Sequence, residues 1–256
     1  MKKLLSFLFF IFLSTGFLAS QNDPVELVYE QEDGWRSLFN GINLDGWSIA
    51  CRKEDEGKNF WKAENGAIEC NSTGKPDHNY VWLMTNEEFE DFHLRLNFQV
   101  FKESKGNSGV QFRSRYDPKA RNGGWLNGPQ VDIHPPAPFR TGLIYDETDG
   151  VNRWIYPSMR NWEIAEKDVP KTSLETVLVY GDDDQDAWNS MELICKGMKI
   201  RTFINGREIS VFDGTGILDD SLHQQKSVGR KGKIALQLHA SDELRIKYKN
   251  LFIRNY

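Results

Sequence analysis

The chain has 256 residues, 39% hydrophobic and 27% charged, enough for one sizeable globular core. Its net charge of −5 and pI near 5.6 argue against nucleic acid, which wants a basic face. The high aromatic content of 12%, with 8 Trp, suits a β-rich core or a surface that stacks on sugar rings.

The first segment, MKKLLSFLFFIFLSTGFLAS, carries two lysines, an apolar run and then small residues. It reads as a secretory signal over residues 1–20 with cleavage after Ser20, its apolar run too short for a membrane span. The expectation is an exported chain, periplasmic or secreted, free of the membrane once processed. A single domain then runs from residue 24 to 256, with no Pro/Ser/Gly linker and no internal repeat. Of the three cysteines, Cys51 and Cys70 are candidates for a bridge, with buried free thiols the equal alternative.

Strands dominate the rest. NFWKAENGAIEC (Asn59–Cys70) reads as a hairpin turning at Asn65-Gly66. YVWLMT (Tyr80–Thr85) is a short apolar strand, and DFHLRLNFQVF (Asp91–Phe101) alternates, with Phe92, Leu94, Leu96, Phe98 and Val100 on one face. Asn189–Phe212 holds three strands, turned at Lys196-Gly197 and Asn205-Gly206. Two more strands close the chain, and only Leu218–Gly229 suggests a helical turn. The pattern predicts an all-β jelly-roll sandwich of two antiparallel sheets. The long segment His134–Thr172, rich in Pro and Trp, reads as a functional loop. The acidic run GDDDQD (Gly181–Asp186) is a solvated turn or, less simply, oxygen ligands for a divalent cation; no other metal or cofactor signature is present.

Three strands share an unusual polar face. In NSGVQFRSR, Gln111, Arg113 and Arg115 alternate with the apolar Val110 and Phe112. In GPQVDIH, Gln130, Asp132 and His134 alternate with Val131 and Ile133; in IALQLHA, Gln237 and His239 oppose Ile234, Leu236 and Leu238. A plain solvated face favours Thr, Lys and Glu. This set of amides, guanidinium forks and proton-transfer groups suits a polyhydroxylated ligand, a small carbohydrate. Asp132 and His239 are the candidate base and acid, and Arg113 the electrostatic stabiliser. Gln111, Arg115, Gln130, His134 and Gln237 are candidate substrate contacts, with Tyr145 and Trp154 forming an aromatic subsite on the long loop.

GWRSLFNGINLDGW (Gly34–Trp47) resembles the amino-terminal signature of the 3-keto-disaccharide hydrolase family. The resemblance continues through NSGVQFRSR, GPQVDIH, TGLIYDE, Trp188-Asn189, INGREI and GKIALQLHA, from about Gly34 to Tyr256. It implies a concanavalin-like, laminarinase-like sandwich that cleaves 3-keto-glycosides, as a 1,2-lyase, a hydratase or a net hydrolase. Two other readings stand beside it. One is a non-catalytic carbohydrate-binding module. The other is an ordinary two-carboxylate glycosidase, which needs a second acid near Asp132, with Asp146 or Glu147 the nearest in sequence.

Overall fold

The computed structural model describes residues 34–182 and 186–256. The expected signal segment lies outside the described residues, as does the middle of the acidic run. Among the described residues no helix is long and apolar enough to cross a membrane, and no cluster of three or more His, Cys, Asp and Glu is arranged to hold a metal.

Among the described residues there are seventeen strands. The first eight are β1 (Arg36–Ser37), β2 (Trp47–Cys51), β3 (Trp61–Glu64), β4 (Ala67–Asn71), β5 (Val81–Thr85), β6 (Phe92–Phe101), β7 (Ser108–Asp117) and β8 (Trp125–Asn127). Then come β9 (Pro129–Ile133), β10 (Ile144–Asp146), β11 (Arg153–Tyr156), β12 (Tyr180–Gly181), β13 (Asn189–Lys196), β14 (Lys199–Ile204), β15 (Arg207–Asp213), β16 (Lys233–Leu238) and β17 (Arg245–Asn255). Among the described residues helix is confined to short pieces, chiefly α1 (Lys171–Leu174) and α2 (Ser221–Lys226).

The strands form two sheets. One runs β15-β14-β13-β6-β17-β4-β3, with β1 on β17 and β12 on β6; the other runs β11-β10-β9-β7-β16-β5-β2, with β8 on β7. Every pairing is antiparallel except the two-residue contact of β12 with β6. The expected hairpins are present. Asn65 and Gly66 both hold positive φ, 50° and 75°, the geometry that lets a two-residue turn follow the twist of β3 and β4. The alternating face of β6 (Phe92, Leu94, Leu96, Phe98) is at most 1% exposed and packs against Val110, Phe112, Val131, Ile133, Leu236 and Leu238 of the opposite sheet. Each such side chain contributes roughly 1.5–3 kcal/mol on burial. This core is the interior of an all-β sandwich.

All three cysteines are free thiols. The suggested Cys51–Cys70 bridge is absent because the two do not flank one strand pair: β2 and β4 belong to different sheets.

One irregularity governs the polar strand NSGVQFRSR. Along β16, Ala235 faces Gln111 and Lys233 faces Ser114, so β7 holds one residue more than its partner between those points. Arg113 takes φ 49° there. An extra residue turns every later side chain to the other face.

Candidate active site

The cross-strand register aligns the polar residues in rows on the eight-stranded sheet, on the face turned away from the core. Ala235 pairs with Gln111, Gln111 with Gln130, Gln130 with Tyr145, and Tyr145 with Trp154. One step along, Trp82 pairs with Gln237 and Gly109 with Asp132. Gly109 leaves room in its row that the Gln130 side chain occupies: a Cβ there would lie 2.4 Å from the Gln130 amide carbon.

A cavity of about 320 Å³ opens on this face. Its walls include Asp132 and Tyr145 from the sheet, Glu147 just past β10, and Tyr80 and His239 at the ends of β5 and β16. Arg121, Trp125, Arg140, Asn152, Trp154 and Trp162 reach it from the loops and the short strands β8 and β11. The segment 134–172 therefore walls the site. Trp162 stands at 67% exposure, whereas Trp154 is buried, edge-on to Tyr145 at 5.0 Å. The Arg121 guanidinium lies 3.8 Å from the centre of the Trp125 ring. Loop residues Tyr116–Leu126 fold over the other half of the face, where Trp82, Met84, Trp125 and Leu126 make a second small core.

Two carboxylates share the cavity. Asp132 is 2% exposed; its Oδ1 accepts a hydrogen bond from Gln130 Nε2 at 3.0 Å, while its Oδ2 has Arg140 Nε at 3.6 Å. Burial pushes its pKa up to about 6, against the pull of Arg140 and Gln130. Glu147 Oε1 accepts from Gln237 Nε2 at 3.2 Å. Burial, with the nearby Asp132 charge adding to it, pushes Glu147 up to about 7. Its backbone is pinned: its N–H donates to Gly128 O and its carbonyl accepts from Trp125 Nε1. His239 Nε2 meets the Tyr80 hydroxyl at 2.7 Å, and its Nδ1 faces Ala240 O at 3.2 Å and Asp242 Oδ2 at 3.5 Å. Burial alone would lower the imidazole pKa, but Asp242 and Glu147 together raise it.

Four acceptor oxygens on this face are buried without a protein hydrogen-bond donor: Gln111 Oε1, Gln130 Oε1, Gln237 Oε1 and Asp132 Oδ2. Each such atom costs about 1–3 kcal/mol when left unpaired. Native proteins concentrate such atoms where a ligand or water completes them.

The expected residues divide. Asp132, His239, Tyr145 and Trp154 come together around the cavity. Gln130 and Gln237 stand behind it and hold the two carboxylates; Gln111 donates to Leu126 O. His134 is not in the cavity wall; its N–H donates to Thr141 Oγ1, and burial and Arg140 push its imidazole down to about 4. Arg113 and Arg115 are corrections. The bulge takes Arg113 off the polar face, and the guanidinium, 1% exposed, bonds Glu90 O, Gly197 O, Gly229 O and Asp91 Oδ1, tying the two sheets together. Arg115, beyond the bulge, is exposed and pairs with Glu88 at 2.9 Å. The cavity's arginines are Arg121 and Arg140, from loops with no periodic pattern to reveal them. Glu147 was legible, since Tyr145 and Glu147 repeat the i, i+2 phase in TGLIYDE. Asp146, the other candidate second acid, is buried away from the cavity against His223.

The fold and site define an all-β sandwich with a polar, aromatic-walled cavity outside its core, and the family to which it belongs makes it a carbohydrate-active protein. The family model for the 3-keto-alpha-glucoside-1,2-lyase-like domain matches residues 34–254, and the chain belongs to that family. Two solved proteins of Parabacteroides distasonis ATCC 8503, provisionally named glycosyl hydrolases, share the fold. One has a TM-score of 0.56 at 17% identity, covering 87% of this chain and 94% of that one. The other has 0.53 at 19%, covering 87% and 99%. Tyrosine–tRNA ligases of Ureaplasma parvum serovar 3 are 24% identical over 237 residues, 83% of this chain and 55% of theirs. The chain thus spans about half the length of those curated relatives, and at that identity the likeness assigns it no activity.

Proposed function

We propose that the protein is an exported enzyme that cleaves small 3-keto-glycosides by elimination, followed by hydration to a net hydrolysis. The observation that carries this reading is the meeting, in one cavity, of Asp132 and Glu147 with His239. Burial raises both carboxylates, to about 6 and about 7, while Asp242 and Glu147 raise the imidazole above its ordinary value, so the cavity brings two basic carboxylates to a histidine that favours its cation. A C3 ketone acidifies the hydrogen on C2. Asp132 takes that proton, and the electrons of the C2–H bond pass into an enolate on the ketone oxygen. Arg140 and Arg121 are the cationic donors in the cavity that favour this charge. Collapse of the enolate forms the C1–C2 double bond and breaks the bond from C1 to the glycosidic oxygen, which needs a proton from the His239 side of the site. Water then adds across the double bond.

Glu147 favours a second reading, a two-carboxylate glycoside hydrolase. Such enzymes divide the roles of acid and nucleophile between carboxyls whose pKa values are driven apart. Here burial drives both upward, to about 6 and about 7. That is the better match to proton abstraction from carbon by a carboxylate of raised basicity.

The test is a 3-keto-glucoside carrying deuterium at C2. Turnover slows with the label, and Asp132→Asn loses about 10²-fold or more, the usual scale for removing a general base. Full activity in the Asn variant would remove Asp132 from the mechanism.

A further inference from the structure

We propose that Tyr80 is the catalytic acid of this site, delivering its phenolic proton to the leaving glycosidic oxygen and taking a replacement from His239. The inference rests on the elimination reading above and names the group that protonates the departing alcohol.

Tyr80 sits on the cavity wall, one residue ahead of β5. It stacks on Trp82 (centroids 5.4 Å apart, planes 10° from parallel), meets Trp125 edge-on at 4.8 Å and His239 edge-on at 4.6 Å. The ring cannot swing without breaking all three contacts, so its hydroxyl is fixed beside His239 Nε2 at 2.7 Å. Behind the imidazole, Nδ1 faces Asp242 Oδ2 at 3.5 Å, and that oxygen also accepts the Asn107 N–H at 2.6 Å. Carboxylate, imidazole and phenol thus form one line that ends at the cavity.

The state of His239 sets the direction of the phenol. When the imidazole is neutral with hydrogen on Nδ1, Nε2 accepts from the Tyr80 O–H and the phenol offers the cavity no proton. When His239 is cationic, Nε2–H donates to the Tyr80 oxygen, and the phenolic hydrogen must point elsewhere, toward the cavity. In the elimination step the phenolic O–H breaks as its hydrogen bonds to the glycosidic oxygen. The Nε2–H proton moves to the Tyr80 oxygen, and His239 ends neutral. No tyrosinate forms, which matters because burial and the Glu147 charge hold the Tyr80 pKa well above the usual phenol range. Asp132 has meanwhile gained the C2 proton; in the hydration step it returns that proton to C2 while the water that adds to C1 gives up a proton through Tyr80 to His239, so protons balance over the cycle. The groups that face His239 are Tyr80 just ahead of β5, Asp242 and Ala240 from its own loop, and Glu147, Asp132 and His134 by charge.

The experiment compares wild type, Tyr80→Phe and Asp242→Asn on two 3-keto-glucosides, one with a 4-nitrophenyl leaving group and one with an alkyl alcohol. Thermal unfolding of each variant is measured alongside. The phenyl ring preserves the stacking. Tyr80→Phe is expected to lose about 10²-fold in kcat on the alkyl substrate and less than about 3-fold on the nitrophenyl one, since a good leaving group needs no acid. Asp242→Asn keeps the relay but lowers the His239 pKa, so the alkaline limb of the kcat profile moves to lower pH. Equal losses by Tyr80→Phe on both substrates, or no loss on the alkyl one, overturn the assignment. A wild type that cleaves neither ketone substrate overturns the elimination reading instead, so the two failures are distinct.

Discussion

The two carboxylates and the histidine make rate depend on pH in opposite senses. Asp132 acts as a base only when ionised, so kcat should rise as pH passes about 6, the value to which burial pushes it. In the proposed mechanism His239 must be protonated, and since its pKa is raised above the ordinary 6.5, kcat should fall as pH rises through that raised value. A bell-shaped profile is the expected result; a profile flat from pH 5 to 9 would contradict these roles. Arg113 belongs to a different ledger. Its four hydrogen-bond acceptors lie in Glu90, Gly197, Gly229 and Asp91, all outside the cavity. Arg113→Met takes the guanidinium from three buried or half-buried carbonyls and from Asp91 Oδ1, which keeps only the Gly197 N–H, and this costs about 3 kcal/mol of stability. Urea unfolding should show that loss while kcat of the folded fraction stays near wild type. The reverse pattern would return Arg113 to the catalytic machinery.

At the scale of elements, the sequence was legible wherever the strand period was unbroken. Gln130 and Asp132 on β9, and Gln237 and His239 around the end of β16, fall on one face because two-residue alternation runs through both. The same rule misplaced Arg113 and Arg115, because the extra residue in β7 inverts the phase between Gln111 and Ser114, and nothing in NSGVQFRSR marks a bulge. Tyr80 was hidden for another reason: it heads an apolar run, YVWLMT, and looks like one more core aromatic until Trp82 beside it is seen facing away from the core. A second element-scale device holds Glu147 in place. His223 on α2 is buried, with Nε2 2.9 Å from Asp146 Oδ2 and Nδ1 2.8 Å from Asp220 Oδ1, so the helix is clipped to the strand that presents Glu147. Burial opposes the charge on His223, but both carboxylates favour it and the net pKa is raised. A raised folded-state value means that stabilisation is complete below the unfolded value of about 6.5 and lost as pH rises through the folded one. His223→Gln should therefore cost about 3 kcal/mol at pH 6 and clearly less at pH 9 by thermal unfolding. An equal cost at both pH values would show that the clip does not depend on charge.

The molecule as a whole uses one sheet for two purposes. The inner face of the eight-stranded sheet completes the sandwich core, while its outer face carries the amides, carboxylates and aromatic rings that loops 116–126 and 134–172 close into a cavity. The sandwich was readable from its alternating strands, and the part that 134–172 plays in the enclosure from its length and aromatic content; the part played by Arg121 and Trp125 was not, since it depends on where residues 116–126 fold. That enclosure raises the carboxylates and leaves Asp132 Oδ2 and Asn107 Oδ1, both on residues of its wall, without a protein donor. The central claim is that the sugar must carry a ketone at C3. The most direct measurement sets the purified protein on a 3-keto-glucoside and on its unoxidised parent, with products followed by mass. Elimination predicts turnover of the keto sugar through an unsaturated intermediate and cleavage of the parent at least about 10³-fold slower, because its C2 hydrogen is not acidic. Equal rates on the two substrates would contradict the account and leave Asp132 and Glu147 as the carboxylate pair of an ordinary glycosidase.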